Sequence, residues 1–248
     1  MHEIQLQTAY VLMVLLGFGL MLAFPLTRGL SVQSEKRRYW ILQGITLSGA
    51  LIGAKFAVLL GDGLWPLQPF HDWYGLLISG RSVVGALLFG FLAAEAAKPL
   101  LDYRLPPNDR FAMVLPFSLG IGRIGCLLSG CCRGIAWDGP LAITYADGIP
   151  RHPAPLYEML FDFAMGFFLI ALYRRKKLQG RLFALYLMTY AVFRFSSEYW
   201  RETAKAFAGL SAYQWFCVAM LLAGAIAFVA RTRAPTRAWG ETTPEAPA

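Results

Sequence analysis

Charged residues are scarce in this chain. Asp, Glu, Lys and Arg together make up 15% of its 248 residues, whereas a soluble domain carries about 25%. The sequence also lacks internal repeats, long linkers and any polar stretch large enough to form a soluble domain. These absences argue against a soluble protein, and the 57% of apolar residues points to a membrane protein instead.

The amino terminus lacks the basic region that opens a secretory signal peptide. The first seven residues, MHEIQLQ, contain no Lys or Arg, and no small-residue cleavage site is evident after the apolar run that follows. We therefore interpret this run as a helix that is retained in the mature protein.

Most of the positive charge lies in short loops. The formal net charge is +8, but 15 of the 23 Lys and Arg residues fall in the loops 27–40, 98–110 and 174–181 and in the tail after residue 230. This distribution argues against nucleic acid as a partner. By the positive-inside rule, it places the N-terminus outside the cell and the C-terminus in the cytoplasm.

Seven apolar runs are long enough to cross a bilayer as helices. They cover residues 8–26, 41–60, 76–97, 111–130, 155–173, 182–200 and 212–230. We predict an all-α, polytopic membrane protein with seven transmembrane helices in a single domain, 1–230. The Pro- and Thr-rich segment 231–248 is predicted to be a disordered cytoplasmic tail.

Three arginines lie inside these apolar runs: Arg81, Arg123 and Arg194. A charge near the bilayer centre is unfavourable by about 2.5–3.5 kcal/mol on insertion scales. The guanidinium fork matches the oxygens of phosphate and carboxylate groups. The sequence therefore predicts a buried, positively charged pocket for an anionic lipid or substrate, with a broken or re-entrant helix around Arg81.

Glycines surround Arg123 in the segment 120–134, GIGRIGCLLSGCCRG. Glycine permits close backbone approach and non-helical turns, so we expect Arg123 to point into a cavity at this end of the fourth span. Small-residue helix packing would explain the glycines but not the arginine.

The same segment carries Cys126, Cys131 and Cys132. A C-x4-C-C run can ligate a metal, but without further ligands it is a weak zinc signal, and we predict no metal site. A disulfide and ordinary buried thiols are the alternatives.

A second polar motif, RHPAPLYE at 151–158, joins a loop to the fifth span. His152 is a candidate acid or base because its reference pKa lies near neutrality. Glu158 lies one turn inside the span, where it needs a partner, and a buried arginine is the obvious one.

A third polar motif lies at the end of the sixth span. Its members, spaced three or four residues apart, are Tyr190, Arg194, Glu198 and Arg201. Residues at this spacing share one helix face. We therefore predict a polar stripe that faces a cavity or another helix rather than lipid.

Together these motifs resemble those of bacterial prolipoprotein diacylglyceryl transferases, over about residues 8–230. The G-R-x-G segment, the R-H-P-x-x-L-Y-E segment, the R-x-x-x-E-x-x-R stripe and the GLS-x-x-Q lead-in at 209–214 carry the resemblance. It implies that a diacylglyceryl group moves from phosphatidylglycerol to the lipobox cysteine thiol of a prolipoprotein, without a cofactor. The implied location is the outer face of the bacterial cytoplasmic (inner) membrane.

The resemblance also implies roles for residues of this chain. Arg123 and Arg194 match the two essential arginines of the family, and we add His152 and Cys126 as catalytic candidates. The predicted substrate-binding residues are Arg81, Gly122, Gly125, Gly134, Tyr157, Glu158, Tyr190, Glu198 and Arg201. Arginines would bind the lipid phosphate and stabilise developing negative charge, and the acceptor would react as a thiolate.

Three positions depart from the family pattern. Val84 stands where the family has the histidine of an H-G-G segment, Cys126 replaces an asparagine, and Cys131 falls where an acidic residue is usual. One hypothesis is a divergent lipid transferase in which His152 or a group of the substrate serves as base. The alternatives are a thiol-dependent membrane enzyme, with Cys126 as nucleophile, redox partner or metal ligand, and a non-catalytic protein that binds anionic lipid.

Overall fold

The computed structural model describes residues 2–30, 32–62, 82–205 and 208–233. Seven α-helices account for most of them: α1 (His2–Ala23), α2 (Gln33–Gly61), α3 (Val83–Leu100), α4 (Asp109–Leu128), α5 (Ala154–Arg174), α6 (Leu182–Ser197) and α7 (Ala212–Arg233). The short strands β1 (Ile143–Thr144) and β2 (Pro150–Arg151) pair antiparallel between α4 and α5. The prediction of an all-α protein is confirmed in this nearly all-helical chain.

Five helices, α2, α3, α4, α5 and α7, are long and apolar enough to cross a membrane. The apolar part of α1, Thr8–Ala23, is shorter, and α6 has 16 residues. Large apolar side chains point outward from several helices, with Leu22, Ile52, Phe167 and Ile226 each more than 60% exposed. Apolar surface of this kind is typical of a polytopic membrane protein, while the count of seven spans stays a prediction.

Two helix boundaries differ from the predicted spans. The sixth span does not run to residue 200 as one α-helix, because α6 ends at Ser197 and a 3-10 turn covers Glu198–Trp200. Helix α7 continues to Arg233, three residues beyond the predicted end of the last span, and Arg231 is held by Glu95 of α3 at 2.5 Å.

The third predicted span is only partly described. Arg81 and the rest of 76–81 lie outside the described residues. Helix α3 begins at Val83, where the Ser82 hydroxyl accepts a hydrogen bond from the Gly85 backbone N–H at 3.3 Å. Such a cap satisfies one of the free donors at a helix N-terminus.

The described residues form two compact units. The first takes its residues from 1–26, 108–186 and 199–202, and the second from 27–107, 187–198 and 203–248. The first unit therefore holds α1, α4, α5 and the β1–β2 hairpin, and the second holds α2, α3, α7 and most of α6.

Small residues let the helices of the first unit approach closely. The Ser118 hydroxyl of α4 donates to the Gly17 carbonyl of α1 at 2.7 Å. A side chain at Gly125 would meet the backbone of Tyr10, and one at Gly120 would meet the Phe163 ring. Close approach is therefore confirmed. The non-helical turn of this segment lies at Gly130, after α4 ends at Leu128, and not at the earlier glycines, which are helical.

The second unit has a similar crossing between α2 and α3, at which Gly53 and Gly85 meet. A Cβ at Gly53 would clash with the Gly85 carbonyl and the Phe89 side chain, whereas a Cβ at Gly44 of the same helix would meet open space. We expect Gly53→Ala to destabilise the fold by about 1–3 kcal/mol through overpacking. Gly44→Ala, the matched control, should stabilise it by about 0.5–1 kcal/mol.

Thermal unfolding of both variants in detergent measures this difference. Equal shifts of the two midpoints would contradict the close α2–α3 crossing.

Candidate functional site

A buried glutamate of α5 lies between two arginines in the first unit. Glu158 is 1% exposed, and its two carboxylate oxygens pair with the guanidinium groups of Arg123, from α4, and Arg201, from the segment after the 3-10 turn. A buried carboxylate needs such partners, so the predicted arginine partner is confirmed. We call Arg123, Glu158 and Arg201 the Arg123 cluster.

The Arg123 cluster carries more positive than negative charge. Two guanidinium groups surround one carboxylate, and the arginine side chains are 14% and 13% exposed, so they stay accessible at their edges. Electrostatic attraction is stronger away from bulk water. The cluster is therefore suited to an anionic group such as a phosphodiester.

The predicted polar stripe is wrong for Arg201. Its spacing would place it on the same helix face as Tyr190, Arg194 and Glu198, but α6 has already ended at Ser197. The 3-10 turn redirects the chain, and Arg201 reaches Glu158 in the first unit.

His152 lies just before α5, the helix that carries Glu158, and aromatic rings hold its side chain in place. Its ring stacks on Trp137 with centroids 4.8 Å apart, and the ring of Trp200 is a second neighbour, with its centroid 6.0 Å away. Its Nδ1 is 3.1 Å from the hydroxyl of Tyr157. The backbone N–H of His152 donates to the Ile135 carbonyl, which anchors the residue to the preceding loop.

Gly134 allows this loop to close. A Cβ at this position would meet the Trp200 carbonyl and the His152 backbone, and the Gly134 N–H donates to the His152 carbonyl at 2.9 Å. The next residue, Ile135, donates to the Trp200 carbonyl at 2.9 Å. Glycine at position 134 thus brings the His152 segment and the residues before Arg201 together.

Two loop arginines are held by an acidic residue of the same loop. Asp147 pairs with Arg133 at 2.8 Å and with Arg151 at 3.4 Å, and Arg151 also binds Glu202 at 2.7 Å. A hydrogen bond from the Ile149 N–H and these two arginines lower the pKa of Asp147. The residue therefore stays charged at neutral pH and orders the loop.

The cysteines lie at the C-terminal end of α4, where the helix closes in a Schellman motif. Gly130 adopts a φ of 65°, its N–H donates to the Leu127 carbonyl at 3.3 Å, and the Cys131 N–H donates to the Cys126 carbonyl at 3.1 Å. This pattern brings the third-last helical residue and the second residue beyond the cap together. Here both are cysteines.

The third cysteine joins them, because Cys132 also has a positive φ, 58°. The sulfur atoms of Cys126, Cys131 and Cys132 all lie within 4.8 Å of one another, and all three are free thiols. We call these three residues the cysteine cluster. Arg123 adjoins it, with its Nη1 3.9 Å from the Cys126 sulfur.

The exposed member of the cysteine cluster is the most acidic thiol of the loop. Hydrogen bonds from Cys126 and Cys131, aided by the charges of Arg123 and Arg201, lower the pKa of Cys132. A lowered pKa increases the thiolate fraction at neutral pH. The position of Cys126 three residues after Arg123 would by itself favour a thiolate there, whereas the hydrogen bonds of the cluster favour the thiolate at Cys132.

We expect iodoacetamide to alkylate Cys132 readily at about pH 6, well below the ordinary cysteine pKa of about 8.5. Replacing the hydrogen-bond donor, in Cys126→Ala, should raise the pKa and slow alkylation at this pH. Mass spectrometry would locate the label, with N-acetylcysteine as the reference thiol. An alkylation rate that rises only near pH 8.5 would contradict the assignment.

The second unit holds a separate buried ion pair, between Arg194 of α6 and Glu198 of the 3-10 turn. The Arg194 guanidinium pairs with Glu198, which is 0% exposed and also accepts hydrogen bonds from the hydroxyls of Thr203, at 2.7 Å, and Ser211, at 2.9 Å. Arg194 also lies over the Tyr213 ring at 5.9 Å. We call Arg194, Glu198, Thr203 and Ser211 the Arg194 cluster.

The other predicted site residues divide between the units. Gly122, Gly125, Gly134, Tyr157 and Cys126 lie in the first unit with Arg123, and Tyr190, which is buried, lies in the second with Arg194. Arg81 lies outside the described residues. Val84, which the resemblance aligns with a histidine of the family, is 1% exposed in α3, and its side chain offers no polar atom.

Sequence reasoning missed Thr203 and the two tryptophans that contact His152. No local motif marks these three residues: the two tryptophans reach His152 from distant parts of the chain, and Thr203 bonds Glu198 from beyond the 3-10 turn. Ser211 was recoverable: with Gln214 it forms a capping box at α7, in which each side chain bonds the other's backbone N–H, at 3.2 and 2.9 Å. That motif is readable as S-x-x-Q in the sequence.

Comparison with known proteins gives consistent matches. The family described as prolipoprotein diacylglyceryl transferase matches residues 3–230. A phosphatidylglycerol–prolipoprotein diacylglyceryl transferase of Bordetella parapertussis is 32% identical, with 92% of each chain covered. Proteins of the same name from Nitrosospira multiformis and Methylibium petroleiphilum are 34% and 35% identical. The matches cover 94% and 73% of this chain and 86% and 73% of those proteins.

Proposed function

Because this chain belongs to the prolipoprotein diacylglyceryl transferase family, we propose that it moves a diacylglyceryl group from phosphatidylglycerol to the lipobox cysteine of a prolipoprotein. The product is a thioether, and glycerol phosphate leaves. The observation that supports this most is the Arg123 cluster, in which two arginines flank one buried carboxylate at the end of apolar helices.

The Arg123 cluster would bind the lipid phosphate. As the carbon–oxygen bond to the diacylglyceryl group breaks, negative charge grows on the leaving phosphate, and guanidinium groups already in place stabilise it. Glu158 holds both arginines in position, so no reorganisation is needed. Gly122, with open space where a side chain would be, leaves room for the head group beside Arg123.

His152 and Tyr157 are the proposed groups on the acceptor side. Their contact of 3.1 Å allows a proton to pass between the imidazole and the phenol. Stacking on Trp137 fixes the imidazole plane, so a proton taken from the acceptor thiol would be held in a defined direction. Gly125 and Gly134, which the sequence suggested as substrate-binding residues, serve here as sites of close packing within the protein rather than of direct contact with the substrate.

Arg194 is the proposed second phosphate-binding arginine, as the family resemblance implies. Glu198 orients its guanidinium, and Tyr190 precedes it by one turn on α6. We assign Arg81 to substrate binding on the sequence alone.

The proposed membrane placement follows the charge of the loops. We infer seven spans, an outside N-terminus, a cytoplasmic C-terminus and an active site towards the outer face of the bacterial inner membrane. We assign residues 1–230 to one transmembrane domain and the remainder to a cytoplasmic tail. The bilayer then supplies the lipid substrate laterally, and the acyl chains lie against apolar helix surfaces.

A thiol-dependent enzyme is the second candidate function. The clustering of three thiols beside Arg123 favours it, because a covalent step on Cys126 would need a nearby cation for the lipid phosphate.

The proposal is tested with protein purified in detergent, phosphatidylglycerol labelled in its diacylglyceryl group, and a peptide containing a lipobox cysteine. We expect label on this peptide and none on a matched peptide with serine at that position. Retention of the lipid without release of glycerol phosphate would contradict the proposal and identify a lipid-binding protein. A diacylglyceryl group found on Cys126 itself by mass spectrometry would favour the thiol-dependent candidate.

A further inference from the structure

The cysteine cluster has the composition and spacing of a metal site. Zinc–sulfur bonds of about 2.3 Å at tetrahedral angles separate the sulfurs by about 3.8 Å. The sulfur atoms of Cys126, Cys131 and Cys132 lie within 4.8 Å of one another, so small side-chain rotations would bring them to this spacing. Among the described residues, they are the one group of three or more His, Cys, Asp or Glu side chains close enough together to hold a metal ion.

The surrounding residues favour bound metal. Three thiolates and a divalent ion carry one net negative charge, and Arg123 lies 3.9 Å from the Cys126 sulfur to offset it. The Ser129 hydroxyl donates to the Cys131 sulfur at 3.2 Å, in the manner of the outer hydrogen bonds that orient metal ligands. The Schellman motif and the positive φ of Cys132 preorganise the ligands on backbone that is already folded.

The site has an open side. Cys126 is buried and Cys131 half-buried, but Cys132 is exposed, so an ion and a further ligand can reach the sulfurs. Three protein ligands with one position left open are typical of catalytic zinc, whereas structural zinc has four.

We propose that Cys126, Cys131 and Cys132 bind a zinc ion whose fourth position takes the thiol of the acceptor cysteine. The role of the ion rests on the proposed transferase function, whereas the site itself does not. An ordinary cysteine is only a few per cent thiolate at neutral pH. Coordination to zinc deprotonates it, so the acceptor would arrive as a nucleophile beside the arginine that holds the phosphate.

The chemical step balances without a redox change. The acceptor thiol loses its proton on binding the ion, and His152, the proposed acceptor-side base, takes it. Its sulfur then forms a bond to the terminal glyceryl carbon of the diacylglyceryl group, and the bond from that carbon to the phosphate oxygen breaks. The electron pair stays on the phosphate oxygen, and glycerol phosphate leaves.

Cobalt is the probe for this site because, unlike zinc, it absorbs visible light. The full-length protein, purified in detergent, reduced and stripped of metal, is titrated with Co²⁺. We expect one equivalent to produce sulfur-to-cobalt charge-transfer bands that Zn²⁺ abolishes. Cys126→Ser and Cys132→Ser should each weaken Co²⁺ binding about tenfold or more. Cys217→Ser, which changes a buried cysteine of α7 outside the cluster, should bind like the unchanged protein.

Addition of the lipobox peptide tests the open position. The cysteine peptide should intensify the charge-transfer bands, and the serine peptide should leave them unchanged. Absence of the bands in reduced, folded protein would overturn the site, and identical spectra with both peptides would overturn its role towards the acceptor.

The transfer assay separates this inference from the proposed function. Full lipid transfer by metal-free protein would overturn the role of zinc and leave the transferase function standing. Cobalt binding with the expected peptide response, but without transfer, would support the site and contradict the transferase function.

Discussion

We expect Arg123→Ala to slow transfer of the diacylglyceryl group by about 100- to 1000-fold, the range observed when one preorganised donor to a developing anion is removed. The fold should survive, because Glu158 keeps Arg201 as a partner after Arg123 is lost. Arg123→Lys should retain part of the activity, since lysine supplies charge but not the paired donors of a guanidinium. Initial rates with labelled phosphatidylglycerol measure the effect.

The matched control is Arg104→Ala. Arg104 is 58% exposed and pairs with Asp102 at the surface, so the same chemical change there should leave the rate unaltered. Unchanged turnover in Arg123→Ala would remove this arginine from the reaction. Equal losses in both variants would point to a general effect of lost charge.

The second large effect is expected at the Arg194 cluster, and it concerns stability as well as activity. The side chains of Arg194 and Glu198 are 7% and 1% exposed. Removing one partner of a buried pair leaves a buried charge and costs about 3–5 kcal/mol. Arg194→Ala should therefore lower the thermal midpoint in detergent by about 10 °C for a protein of this size.

A double variant distinguishes a lost ion pair from general damage. In Arg194→Met with Glu198→Gln, both charges are gone, and the new amide oxygen can still accept from Thr203 and Ser211. We expect most of the stability to return, whereas lipid transfer, which we expect Arg194→Ala to abolish, stays absent. Recovery of transfer in the double variant would show that Arg194 acts only through the fold.

A surface pair provides the reference for this measurement. Arg38 and Asp102 are 48% and 57% exposed, and Arg38→Ala should cost at most about 1 kcal/mol. If Arg194→Ala were no more destabilising than Arg38→Ala, an unpaired Glu198 would not carry the predicted cost of a buried charge.

The two proposals make different demands on the cysteines. Lipid transfer alone requires the arginines, whereas zinc binding requires all three thiols to be reduced and close together. With the site at the outer face, as proposed, the cysteine cluster would lie in an oxidising environment. Its redox state would then decide whether the ion binds, and reductant in every assay removes this variable.

Composition and local spacing determined much of this protein. Long apolar runs can bury their backbone polar groups in a membrane only as helices, so the seven helices of the described residues were predictable. The membership of the family could be inferred from four short motifs. An arginine partner for Glu158 could also be predicted, because an unpaired charge inside a span is unfavourable.

Only the tertiary structure decided which groups meet. The spacing of Arg201 indicates the same helix face as Arg194, but α6 ends at Ser197, and Arg201 pairs with Glu158 instead. Likewise, the spacing of Cys126, Cys131 and Cys132 is a weak metal signal, whereas two positive φ angles after α4 bring their sulfurs together. Periodicity assumes a continuous helix, so it fails where a helix ends, and in this protein both candidate clusters of the first unit are completed at helix ends.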